Sequence, residues 1–85
     1  AKPGEAAAVA VPNLIPLLKD TDPLVRRLAA YALGQIGPKA KEAIPALKEA
    51  LNDTERDVVT ASINAIRAID ATAADGLVSP PNVAN

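Results

Sequence analysis

The stretch Val11 to Asp22, VPNLIPLLKDTD, is written a second time from Ile44 to Glu55 as IPALKEALNDTE. Displacing the chain by 33 residues puts Pro12 on Pro45, Leu14 on Leu47, Leu18 on Leu51, Asp20 on Asp53 and Thr21 on Thr54. The match continues through Val25 on Val58, Ala32 on Ala65 and Ile36 on Ile69. A fixed period in this range, with apolar positions kept and surface positions free, marks units that bury their apolar faces by stacking on one another.

Inside each period the apolar residues recur at helical spacing. From Val25, the residues Leu28, Ala29, Ala32, Leu33 and Ile36 gather on one face, and in the second unit Val58, Ser62, Ala65, Ile66 and Ile69 do the same. Each unit therefore reads as two helices. In the first unit Pro12 and Pro16 predict a leading helix that is broken or kinked within residues 5–19, because proline is tolerated in a first turn and disruptive further in. Asp22-Pro23 starts the next helix with an N-cap acceptor and a pre-organised first residue, and Gly34 with Gly37-Pro38 closes it. The second unit follows the plan: a helix from near Lys39 through Pro45 to near Leu51, a turn at Asn52-Asp53-Thr54, and a helix from about Glu55 to Ala73, stopped by Gly76. Thr54 and Asp57 are spaced as a capping box with Asp in place of Glu.

The expected organisation is one domain over residues 1–75, with repeat one at about 5–37 and repeat two at about 38–73. Residues 76–85 form a tail containing Pro80-Pro81, expected to be extended or disordered, although Leu77 and Val78 are apolar enough to fold back. Gly4 falls on Gly37, so the lead-in reads as the end of an earlier unit. The chain has no Met, including at position 1, which marks Ala1 as excerpted or processed.

Composition closes off several classes of function. Nine basic and ten acidic residues leave a net charge of −1, and Arg26-Arg27 is too small a cluster to hold a polyanion, so neither a nucleic acid nor a membrane surface is expected as partner. With no Cys and no His, no disulfide framework, thiolate chemistry or usual nucleophile and base pairing can be assembled, and no cofactor is implied. Asp20 and Asp22 are read as a capping arrangement rather than a metal site.

The pattern AIPALKEALND, and VRRLAAYALGQIG after the first turn, resembles HEAT repeats, specifically the short variety found in phycobilisome-lyase-type proteins, and covers residues 5–70 as two units. The resemblance implies an all-α fold, an α-solenoid of two HEAT-like helix-turn-helix repeats in a right-handed stack, acting as a protein-protein interaction scaffold without catalysis. In the family a turn Asp and an Arg after the second-helix Val help tie neighbouring units together. They map onto Asp20 and Arg26; Asp53 matches in the second unit, but Val59 replaces the Arg. That departure points to a terminal unit or to stacking through apolar contacts. The same resemblance implies an alternative role in chromophore handling, which covalent colour after incubation with bilin and an acceptor protein would reveal. A further alternative is a structural spacer in a larger protein, marked by more 33-residue units on either side.

Two surfaces stand out. Opposite the first unit's core face lie Arg27, Tyr31 and Gly34, matched by Thr60, Asn64 and Arg67 in the second unit. Second helices line the concave side of such stacks, so Arg27, Tyr31, Thr60, Asn64 and Arg67 are the candidate partner-binding residues. The flanks carry apolar stripes, Leu24 with Leu28 on one helix and Val59 with Ile63 on the other. A two-unit stack has open apolar ends, to be covered by the tail, by a neighbouring repeat or by a second copy in a homodimer.

Overall fold

The computed structural model describes residues 3–74. These residues form α1 (Pro3–Leu14), a 3₁₀ segment (Ile15–Lys19), α2 (Pro23–Ile36), a second 3₁₀ segment (Gly37–Ala43), α3 (Ile44–Ala50) and α4 (Arg56–Ile69). The expected Gly76 stop and the tail from Leu77 onward lie outside them. The fold is all-α, with no strand among the described residues, and consists of two helical hairpins laid side by side.

The prolines shape the first helix of each hairpin. Pro12 lies inside α1, and from Ile15, one residue before Pro16, the chain tightens into 3₁₀ geometry up to Lys19. Proline lacks the N–H of the ordinary helical bond and crowds the carbonyl four residues back, so the second proline ends the α-helix. In the second hairpin the order is reversed. The 3₁₀ segment comes first, with Ala40 departing from helical geometry, and the α-helix restarts with Pro45 in its first turn. The break expected within residues 5–19 is present, while the helix expected to run from near Lys39 is regular only from Ile44.

Helix α2 starts as its sequence dictates. The Asp22 carboxylate accepts the Leu24 N–H at 2.9 Å, and Pro23 opens the helix. Gly37, at φ 79°, ends it in the left-handed region that suits glycine. Gly34 has a different task from the stop first expected of it: it sits inside α2, where a Cβ would meet the Ala65 Cα at 3.0 Å. The missing side chain lets α2 and α4 approach closely. At α4 the expected Thr54 and Asp57 capping box does not form; Glu55 precedes the first turn without a side-chain cap, and the Asp53 carboxylate takes the Glu55 N–H at 2.8 Å. An acceptor two residues back satisfies an orphan donor of the turn, so the box is redundant. The helix also stops earlier than Ala73. Asp70 leaves helical geometry, and its carboxylate accepts from the Thr72 N–H and hydroxyl, favouring a turn.

The core runs as one cluster from Val11 and Leu18 through Ala29, Ala30 and Leu33 to Leu47, Ala65, Ile66 and Ile69. On α4 the buried residues are Val58, Ser62, Ala65, Ile66 and Ile69, the face read from the sequence. On α2 they are Ala29, Ala30 and Leu33, while Leu28, expected on the core face, is 51% exposed. The buried arc of α2 holds Ala29, Ala30 and Leu33, and Leu28 lies outside that arc, on the surface that α2 and α4 line together. Ser62 is the buried polar exception, its hydroxyl without a hydrogen-bond partner among the described residues. Burying an unpaired hydroxyl costs free energy, and alanine is the better helix former. Ser62→Ala is therefore expected to stabilise the chain by about 1 kcal/mol, read as a rise in thermal midpoint; a fall would mean that the hydroxyl is satisfied in solution.

Candidate functional site

Two features of the hairpin pair bring polar side chains of both units together. The first is a knot at the turns. Arg26, on the first turn of α2, reaches across to the second unit, donating from Nε to Asp53 Oδ2 at 2.7 Å and from Nη2 to Asp53 Oδ1 at 3.1 Å. Its Nη1 donates to the carbonyls of Asp20 at 2.7 Å and Thr21 at 3.2 Å. One guanidinium thus joins both turns, with side chains only 16% and 10% exposed for Arg26 and Asp53. Asp20 takes part through its backbone carbonyl, and its carboxylate accepts the Asp22 N–H at 2.9 Å.

The electrostatics follow from that geometry. The Arg26 side chain, and after it the Glu55 N–H, hold the Asp53 carboxyl below its usual range, and the hydrogen bond to Asp53 raises Arg26. A carboxyl depressed by folding contributes stability that is present above its unfolded pKa and lost as pH falls through the folded value. The thermal midpoint should therefore drop on acidification below the ordinary aspartate range, and Asp53→Asn should flatten that drop. Asp70, held low by the Thr72 hydroxyl, adds in the same direction. An unchanged acid profile in Asp53→Asn would remove the knot from the stability argument.

The second feature is a groove of about 510 Å³ between α2 and α4. Small apolar residues, Gly34, Ala61 and Ala65, line it together with the exposed Ala68, and Leu28 and Tyr31 border it on α2. Tyr31 is 60% exposed. Polar groups edge it, Gln35 on α2 and Thr60 and Asn64 on α4, and Arg27 stands 4.0 Å from Asp57 across one end. Of the five residues proposed from the sequence, Arg27, Tyr31, Thr60 and Asn64 line this groove together. Arg67 does not line it; it sits at the rim, donating to Asn64 Oδ1 at 3.4 Å.

Spacing alone could not show that the floor would be concave, because that depends on how close α2 and α4 come. Gly34, placed on the outward face and read as part of the helix stop, packs on Ala65 instead. The end residues fall as two unlike sets: Leu24 and Leu28 are each 51% exposed, whereas Val59 and Ile63 are half-buried. Among the described residues no helix is long and apolar enough to cross a membrane, and no group of three His, Cys, Asp or Glu could hold a metal ion.

A family model described as HEAT repeats matches residues 4–76. Neither the curated proteins nor the solved structures contain a match.

Proposed function

The chain belongs to the HEAT-repeat family, and from that premise we propose that it is a non-catalytic binding module whose α2 and α4 groove holds a segment of another protein. The observation that carries the reading is the groove itself: an apolar floor of glycine and alanine, an exposed tyrosine on its wall and polar side chains at hydrogen-bonding reach along its edges. Such a floor admits a backbone or a slim helix close to the protein, while the edge amides and hydroxyl pair with the polar groups that a peptide brings. Tyrosine and arginine serve well as anchors because they present large contact areas with few torsions to freeze or a forked donor set. The Arg27 and Asp57 pair keeps that end of the groove near neutral, and Arg67 leaves the rim slightly positive.

The walls are helices locked through the core, so the surface is preformed and little ordering cost falls on the module. The test is selection of a displayed random-peptide library on the full chain, followed by amide-shift mapping of the enriched peptides. Expected are shifts clustered on Arg27, Tyr31, Thr60 and Asn64, with Tyr31→Ala and Arg27→Ala each weakening binding about tenfold at unchanged helical signal. Peptides that map elsewhere, or that bind both variants as tightly as the parent, would refute this surface.

A further inference from the structure

The arginines of this chain are not spread along it. All four, Arg26, Arg27, Arg56 and Arg67, stand on α2 and α4, and those two helices carry a single acidic residue, Asp57. Outside them five lysines stand against nine acidic residues. A chain with a net charge of −1 therefore sets a positive pair of helices against an acidic remainder, and the groove lies between those two helices. Arginine differs from lysine in its flat fork of donors, which matches a carboxylate through two bonds and is less strongly hydrated.

The four are not equally free. Arg26 is committed to Asp53 and to two turn carbonyls. Arg27 stands 4.0 Å from Asp57, which neutralises that end of the groove. Arg56 opens α4 and does not line the groove. Arg67, in the last turn of α4, is exposed, and no carboxylate among the described residues lies within ion-pair distance of it. Asp70, three residues on, turns its carboxylate to Thr72 instead. The Arg67 guanidinium donates to Asn64 Oδ1 at 3.4 Å, and most of its donors remain open. With Oδ1 engaged, the Asn64 amide keeps its N–H groups to donate. Arg67 is also the repeat mate of Gly34, so the second unit carries a long cation where the first has no side chain.

We infer that the occupant of the groove is an acidic peptide segment, extended, with an apolar side chain beside Leu28 and Tyr31 and an Asp or Glu carboxylate on Arg67. The inference rests on the reading of the groove as a peptide site. Its spacing follows from the helix. Ala61, the repeat mate of Leu28, and Arg67 are six residues apart, about 9 Å along α4. An extended segment crosses that span in about three residues. Asn64, between them on the groove, donates to a backbone carbonyl of the segment. Charge sets the direction as well: a carboxylate at the far end would meet Asp57, so the segment carries its acidic residue toward Arg67 and a neutral one beside Arg27.

The random-peptide selection on the full chain supplies the probes. Among enriched peptides whose amide shifts map to the groove, an acidic residue about three positions from an aliphatic or aromatic one is expected. The tightest of these is compared with a form that carries lysine in place of the acidic residue. Arg67→Glu is expected to weaken the acidic peptide by about tenfold or more and to strengthen the lysine form, an exchange of preference that lost packing alone does not produce. Arg56→Glu, outside the groove, should change either by less than about twofold. Arg67 also faces the negative end of α4, so helical signal is followed alongside. If it falls in Arg67→Glu, Arg67→Gln takes its place and should bring the two peptides to within about threefold of each other. Peptides that map to the groove without acidic enrichment, or an unchanged preference in the Arg67 variant, would overturn this inference and leave the groove reading standing. A selection that enriches nothing, or peptides that map elsewhere, would overturn the groove reading and this inference with it.

Discussion

Truncating Leu33 or Ile66 to alanine is expected to remove about 2–4 kcal/mol of stability. The two are repeat mates, one period apart, and each is 0% exposed within the same cluster. Small domains hold only a few kcal/mol in reserve, and this core is built largely of alanine, so few large side chains supply the burial. Losing either leaves a cavity that neighbouring alanines are too short to refill. Urea denaturation followed by circular dichroism gives the number, with an unchanged slope showing that the native state alone was altered. Leu24→Ala and Leu28→Ala are the controls. Both side chains are 51% exposed, and each should cost well under 1 kcal/mol. A loss below about 0.5 kcal/mol for Leu33→Ala or Ile66→Ala would mean that the helices are rotated from the described phase.

Replacing Gly34 by leucine is the second large effect. In the interior of an exposed helix, exchanging glycine for a good helix former gains up to about 1 kcal/mol. Here the sign should reverse. The new Cβ would lie 3.0 Å from the Ala65 Cα and 3.3 Å from its Cβ, and backbone cannot turn aside as a flexible side chain does. Accommodating leucine requires α2 and α4 to separate, which loosens the packing of Leu33 and Ile66 and stretches the Arg26 and Asp53 knot. A loss of about 1–3 kcal/mol is expected. Ala65→Gly should recover part of it in the double mutant, because the two positions share one contact. Stabilisation of the single mutant would show that the helices do not approach this closely in solution.

Much of this fold is legible in the primary structure, for reasons that can be named residue by residue. Asp22-Pro23 predicts the start of α2 because both the cap and the constrained first residue act locally. Pro16 predicts the break because a missing N–H needs no tertiary partner to be felt. The apolar face of α4 from Val58 to Ile69 follows from helical period alone. Where reading failed, the decisive influence was non-local or a competing local bond. Asp53, committed to Arg26 and the Glu55 N–H, made the Thr54 box unnecessary. The Asp70 carboxylate won the Thr72 N–H and hydroxyl and ended α4 before Ala73.

The candidate groove divides the same way. Helical period placed Arg27, Tyr31, Thr60 and Asn64 on the outward sides of two equivalent helices, and the repeat made those helices neighbours. Sequence by itself therefore determined that two like hairpins stack and which side chains they turn away from the core, because period and punctuation act within a few residues. Only the tertiary structure decided how far each helix is rolled toward its partner. That roll exposes Leu28, buries Ala30 and sets Gly34 against Ala65. It depends on which neighbours the described residues set against each side of a helix, which is a property of the assembled stack rather than of any single segment.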